Sequence, residues 1–120
     1  MPVRSSSSFV HTWPEAREVL AAARRWADAQ PADHPELVRL GVFGSYARGD
    51  AGFGSDLDLV AVVRDADRPF ERRAARWNLN SLPVPADILV YTDAEFRTLQ
   101  ASESRFARVL RDEIVWLVQR

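Results

Sequence analysis

All five glycines of this 120-residue chain fall between positions 41 and 54. Glycine adopts positive φ and tolerates close approach of another group, so this concentration marks one place where the backbone turns sharply or meets something closely. Four of the five, Gly44 to Gly54, lie between two short apolar runs, Leu37 to Phe43 (LVRLGVF) and Asp56 to Val63 (DLDLVAVV). Both are strand-length and rich in branched side chains, which predicts two strands joined by a glycine-rich connection.

The rest of the chain supplies helices and two more strands. Thr12 and Glu15 predict a capping box with Pro14 in the first turn. Apolar residues then recur at Trp13, Ala16, Val19, Leu20, Ala23 and Trp26, the spacing of a helix with one buried face, which Pro31 and Pro35 are expected to close. Pro69 opens a second helix with Phe70, Ala74 and Trp77 on one face. Leu82 to Tyr91 (LPVPADILVY) reads as a third strand with its prolines at the start. Thr92 and Glu95 form another capping box before Phe96 and Leu99, and Phe106, Val109 and Leu110 continue the helical pattern. Ile114 to Val118 is a final strand. The expected class is α+β, in which helices and a mixed sheet of about four strands share one core. Residues 1–11, with the run Ser5 to Ser8, read as a flexible leader, and 12–120 as one domain.

Composition removes whole classes of chemistry. The net charge is -1, so no basic footprint for nucleic acid is present. With no cysteine there is no disulfide framework and no thiolate zinc site, which suits a cytoplasmic protein. No apolar run approaches the roughly 20 residues that span a bilayer. All sixteen basic residues are arginine, so any mechanism that needs a lysine is excluded. A P-loop is therefore ruled out, and Gly52-x-Gly54 lacks the third glycine of a dinucleotide fingerprint. His11 and His34 fall in expected loops without ligand spacing.

The acidic residues are more telling. Asp56 and Asp58 are two apart at the start of a strand, so their side chains leave one face. Two carboxylates about 4 Å apart repel by roughly 4 kcal/mol at an effective dielectric near 20. A divalent cation removes that penalty, and an all-oxygen set favours magnesium or manganese. Asp87 lies among Val84, Ile88, Leu89 and Val90, where an acid is costly without a partner. If its strand neighbours the Asp56 strand, it reaches the same ions. Upstream, Gly44-Ser45 lies between a strand and a short helical stretch, Tyr46 to Arg48, ended by Gly49. The first turn of a helix offers free N–H groups to a phosphate, and the same residues equally make an ordinary tight turn with Gly49 as its cap. Arg48 is open to neutralising phosphate, to pairing with Asp50 or to packing the turn.

Together the segment is G-S-Y-A-R-G-D-A-G-F-G-S-D-L-D-L-V, Gly44 to Val60. It resembles the signature of the DNA polymerase beta-like nucleotidyltransferase superfamily: Gly-Ser, ten residues, then Asp-x-Asp. Ala47-Arg48-Gly49 and Ser55-Asp56 look like its minimal nucleotidyltransferase branch. Leu57 stands where that pattern more often has isoleucine, a volume-conserving change. The resemblance implies a two-layer fold with helices on one face of the sheet and a nucleotide cleft on the other. It implies that Gly44 and Ser45 hold the triphosphate, and Arg48 and Ser55 are further candidate phosphate contacts. Asp56, Asp58 and Asp87 would bind Mg2+ or Mn2+, with Asp87 also orienting or activating the attacking hydroxyl. The implied activity is transfer of a nucleoside monophosphate from an NTP, with ATP the expected donor, to a hydroxyl. The expected acceptor is a small helical partner of the HEPN type, to which the chain stands as antitoxin. The alternatives are a small-molecule acceptor of the aminoglycoside kind, and a non-catalytic module that binds a partner with the same fold. The edge formed by residues 114–118 is open to pairing with another chain, a homo-oligomer included.

Overall fold

A computed structural model describes residues 13–120, so the expected leader and Thr12 lie outside the described residues. The chain runs α1 (Ala16–Asp33), β1 (Leu37–Phe43), α2 (Ser45–Arg48), β2 (Leu57–Val63) and α3 (Phe70–Arg73) with a 3-10 turn (Ala74–Arg76). It continues through β3 (Ala86–Thr92), α4 (Asp93–Ala101), α5 (Arg105–Glu113) and β4 (Val115–Gln119). The sheet order is β3-β2-β1-β4. β1 is antiparallel to β2 and β4, and β2 is parallel to β3, so the sheet is mixed as expected.

The element boundaries follow local chemistry. Glu15 caps α1 in place of the expected Thr12–Glu15 box, and its N–H donates to Glu18 Oε1 at 3.0 Å. Pro14 thus precedes the helix. Pro31 lies inside α1 rather than closing it. Its missing N–H falls in the last turn, where the Gln30 side chain donates to the Trp26 carbonyl and His34 N–H reaches Gln30 O. The third strand begins at Ala86 instead of Leu82, because Pro83 and Pro85 have no N–H for a ladder. Pro85 still accepts from Leu57 N–H at 2.9 Å, and Leu82 and Val84 stay buried. The helix opened by Pro69 is only one turn before it tightens, so Trp77 is buried while Phe70 faces solvent against Tyr91.

Helices cover both faces of the sheet, not one. Leu57, Leu59, Ala61 and Val63 of β2 pack with Val19, Ala23, Trp26 and Ala27 of α1. The alternate residues Val60 and Val62 pack under Phe96 of α4 and Leu110 of α5. A strand buried on both sides reads as an unbroken apolar run, which is why 57–63 shows no alternation. The second layer comes from the amphipathic stretch after Thr92, which folds back onto the sheet through Phe96 and Leu110.

Arg73 locks this arrangement. It is buried, donates from Nε to Arg68 O and from NH1 to Val90 O, and forks onto both carboxylate oxygens of Glu95 at 2.6 and 3.2 Å. One guanidinium thereby ties α3, β3 and the start of α4. Glu95 also completes the α4 capping box with Thr92, receiving Thr92 N–H at 2.8 Å. The Arg73 hydrogen bond, aided by the Thr92 bonds, pulls the Glu95 carboxyl down to about 2. A depressed acid stabilises the fold above its unfolded pKa and loses that contribution as pH falls toward the folded one. Because Glu95 is half in solvent, Glu95→Gln should cost only about 1–2 kcal/mol at pH 7. Urea unfolding should show this difference shrinking between about pH 5 and pH 3; a difference that does not change with pH would rule the ion pair out as its source.

Candidate active site

Three strands end together at the glycine-rich connection. Across β1 and β2 the register pairs Phe43 with Asp58, and across β2 and β3 it pairs Asp58 with Asp87. Ladder partners share a face, so Asp87, Asp58 and Phe43 form one row on the side that α4 and α5 partly cover. Neighbouring strands are about 4.8 Å apart. Two acids at that spacing, where β-strands ordinarily place apolar or complementary pairs, are a charge conflict built into the register.

Asp58 carries most of it. Half-buried between β1 and β3, its carboxyl is pushed above the ordinary range first by desolvation, then by the negative charges of Asp87 and Asp56. Arg48 pulls in the opposite direction. Asp56 precedes β2 and is exposed, and Asp87 is exposed on its strand. Among the described residues no group of three or more His, Cys, Asp or Glu side chains is placed to hold a metal ion, so Asp56, Asp58 and Asp87 are not drawn into one ligand set here. The acids stand side by side on an open shelf. Their all-oxygen chemistry fits a hard divalent cation, which would offset the repulsion that Asp87 and Asp56 impose on Asp58.

Gly44 faces this shelf. Its φ is +76°, a conformation L side chains rarely adopt, and a Cβ there would run into Asp58 Oδ2. The turn that follows is held by Ala47 and Arg48 N–H on Gly44 O and by Gly49 and Asp50 N–H on Ser45 O. Gly49 closes it in the left-handed conformation. The first N–H groups of α2, from Ser45 onward, have no partner within the turn.

The other expected phosphate contacts sit differently. Arg48 is already paired, Nε to Asp50 Oδ2 and NH1 to Glu113 Oε1, both at 3.2 Å. Ser55 Oγ accepts from Gly52 N–H at 3.0 Å, and its carbonyl accepts the Tyr46 hydroxyl at 3.3 Å. Ser55 therefore shapes the loop that delivers Asp56. Tyr46 is buried, whereas Phe53 at the loop tip is 73% exposed with its ring 5.1 Å from Trp13. Glu113 had no marker in the sequence: it lies 65 residues from Arg48, and only the return of α5 brings it there.

A profile of the nucleotidyltransferase domain matches residues 27–116. The chain belongs to the nucleotidyltransferase domain family. A candidate nucleotidyltransferase from Sulfolobus solfataricus superposes with a TM-score of 0.62 at 22% identity, over 92% of each chain, and so shares the fold. A toxin–antitoxin structure with AMP-PNP reaches a TM-score of 0.49 at 16% identity over 81% of this chain and 73% of that one. A mutant MntA-HpeT toxin–antitoxin structure reaches 0.49 at 13% identity, over 89% and 75%. No functionally curated protein matches. Family membership makes this a nucleotidyltransferase, and among its described residues no helix is long and apolar enough to cross a membrane.

Two variants probe the shelf. A raised acid binds more protons folded than unfolded, so its cost appears as pH rises through the folded pKa. Asp58→Asn should therefore raise the Tm of protein in EDTA at pH 7, by on the order of a few degrees, with the gain closing below about pH 4. An equal Tm for both proteins at pH 7 would contradict the charge conflict. Gly44→Ala should cost about 1–3 kcal/mol through its backbone conformation alone. Paired with Asp58→Ala it should lose less than the two costs summed, because the carboxylate it meets is gone; strict additivity would mean the two residues do not touch.

Proposed function

We propose that the chain transfers a nucleoside monophosphate from an NTP, with ATP as donor, to a hydroxyl on a small helical partner of the HEPN type, acting as the antitoxin of the pair. One observation carries the catalytic part: the parallel register that sets Asp87 beside Asp58, at a turn where Gly44 has no Cβ to shield them. Support for the partner is the resemblance of Ala47-Arg48-Gly49 and Ser55-Asp56 to the minimal branch. A reaction that consumes NTP fits a cytoplasmic setting.

Asp56, Asp58 and Asp87 are the residues that would hold Mg2+, which supplies charge neutralisation for the phosphates and the attacking oxygen. The rest is positioning by the chain itself. Gly44 leaves space for a phosphate against the backbone, and Ser45 with the first N–H groups of α2 seats it. Arg48, paired with Asp50 and Glu113, braces the turn that carries that seat. The acceptor oxygen forms the new bond to the α-phosphorus, and the bond from that phosphorus to the bridging oxygen breaks. Pyrophosphate leaves, and the hydroxyl proton passes to a carboxylate oxygen of Asp87. The open shelf beside Asp87 leaves the approach for a macromolecular acceptor.

Incubation with ATP labelled at the α-phosphate, Mg2+ and the purified product of the adjacent gene tests this directly. Label should move to the partner, and Asp56→Asn, Asp58→Asn and Asp87→Asn should each reduce transfer by at least about a hundredfold. EDTA should stop it, and Mg2+ or Mn2+ should restore it. A stable complex without label transfer would replace catalysis with binding as the role, and full activity in Asp87→Asn would remove that residue from the chemistry.

A further inference from the structure

The row of Asp87 and Asp58 continues one strand further, to Phe43. Phe43 immediately precedes Gly44, so its ring stands beside the phosphate seat on the same face as Asp58. Over it lies Phe106 of α5, with ring centroids 5.9 Å apart and planes at 80°. Phe106 is 39% exposed, although the helix that carries it buries Ala107 and Leu110. A phenyl ring held by a rigid helix, backed by a second ring and open to water beside a charged shelf, is a surface on which a flat group can stack.

Its position selects the flat group. Each step along the row is about 4.8 Å, so the two rings lie roughly 5–10 Å from Asp58. That is the span of a ribose between an α-phosphate at the acids and its base. The other exposed aromatic near the turn is on the wrong side. Phe53 packs on Trp13, and Trp13 and Ala51 belong to the core on the α1 face, opposite Asp58.

We propose that Phe106, backed by Phe43, is the stacking platform for the nucleobase of the bound triphosphate, an inference that rests on the phosphate seat assigned above. A phenyl face meets every base through its π-system, so the platform supports affinity for nucleotides in general rather than a hydrogen-bonded choice of one. The acceptor then enters from the opposite end of the row, at Asp87.

Calorimetric binding of ATP and of inorganic tripolyphosphate, each with Mg2+, separates the platform from the seat. Wild type should bind both, ATP more tightly. Phe106→Leu, which keeps apolar volume but loses the π-face, should weaken ATP roughly tenfold and leave tripolyphosphate unchanged. Phe106→Trp should restore ATP binding, and Phe53→Leu should change neither ligand. Wild type binding tripolyphosphate as tightly as ATP would sink the platform and spare the seat, whereas failure to bind either ligand would sink both. Equal losses for the two ligands in Phe106→Leu, or the ATP loss appearing in Phe53→Leu instead, would also overturn the assignment.

Discussion

The register that sets Asp58 beside Asp87 is the constraint around which the rest of the molecule is arranged. Cross-strand neighbours in a sheet ordinarily stabilise it, and two like charges do the reverse. The conflict persists because the strands are fixed by contacts elsewhere. β2 is buried on both faces, so sliding it by one residue would move Leu57, Leu59, Ala61 and Val63 out of one core and Val60 and Val62 out of the other. The apolar body of the strand holds its acidic end where electrostatics alone would not. Under the proposed function, a cation bound by these acids would relieve a cost already present in the fold.

Two helical returns finish the site without belonging to its motif. α5 lays Glu113 against Arg48 and Phe106 against Phe43, so both flanks of the turn are braced by a helix distant in sequence. Arg73 does comparable work at the far end of β3, where it caps the Val90 carbonyl and fixes the start of α4. The covering of the second sheet face is therefore partial. It protects Val60 and Val62, and stops short of Asp58.

Much of this was legible in the residues. The four strands, the Thr92–Glu95 box and the α+β class follow from patterning and capping chemistry, and the spacing from Gly44-Ser45 to Asp56 and Asp58 placed the turn beside the acids. The long reach of contacts was not legible. The two-sided burial of β2 looks in sequence like any apolar run, and whether Phe96 and Leu110 pack over the face opposite α1 depends on the path of the chain. Pro31 was expected to close the helix, but it lies only two residues from the last helical residue, Asp33, and the last turn still closes through His34 N–H on Gln30 O. Arg48 was open to several partners, and its pairing with Glu113 needed three dimensions to appear.

The crossover between β2 and β3 has a consequence for how the molecule comes into being. Gly44, Ser45 and Asp58 are brought together by an antiparallel pairing across residues 44–56, whereas Asp87 arrives only after residues 64–85 have looped over. Closing the longer connection has the larger entropic cost, and parallel pairing is slower to form. The turn and Asp58 are thus joined by nearby sequence, whereas the placing of Asp87 depends on the longer closure. The Asp58–Asp87 pair is therefore the part of the shelf that depends on the whole fold being in place.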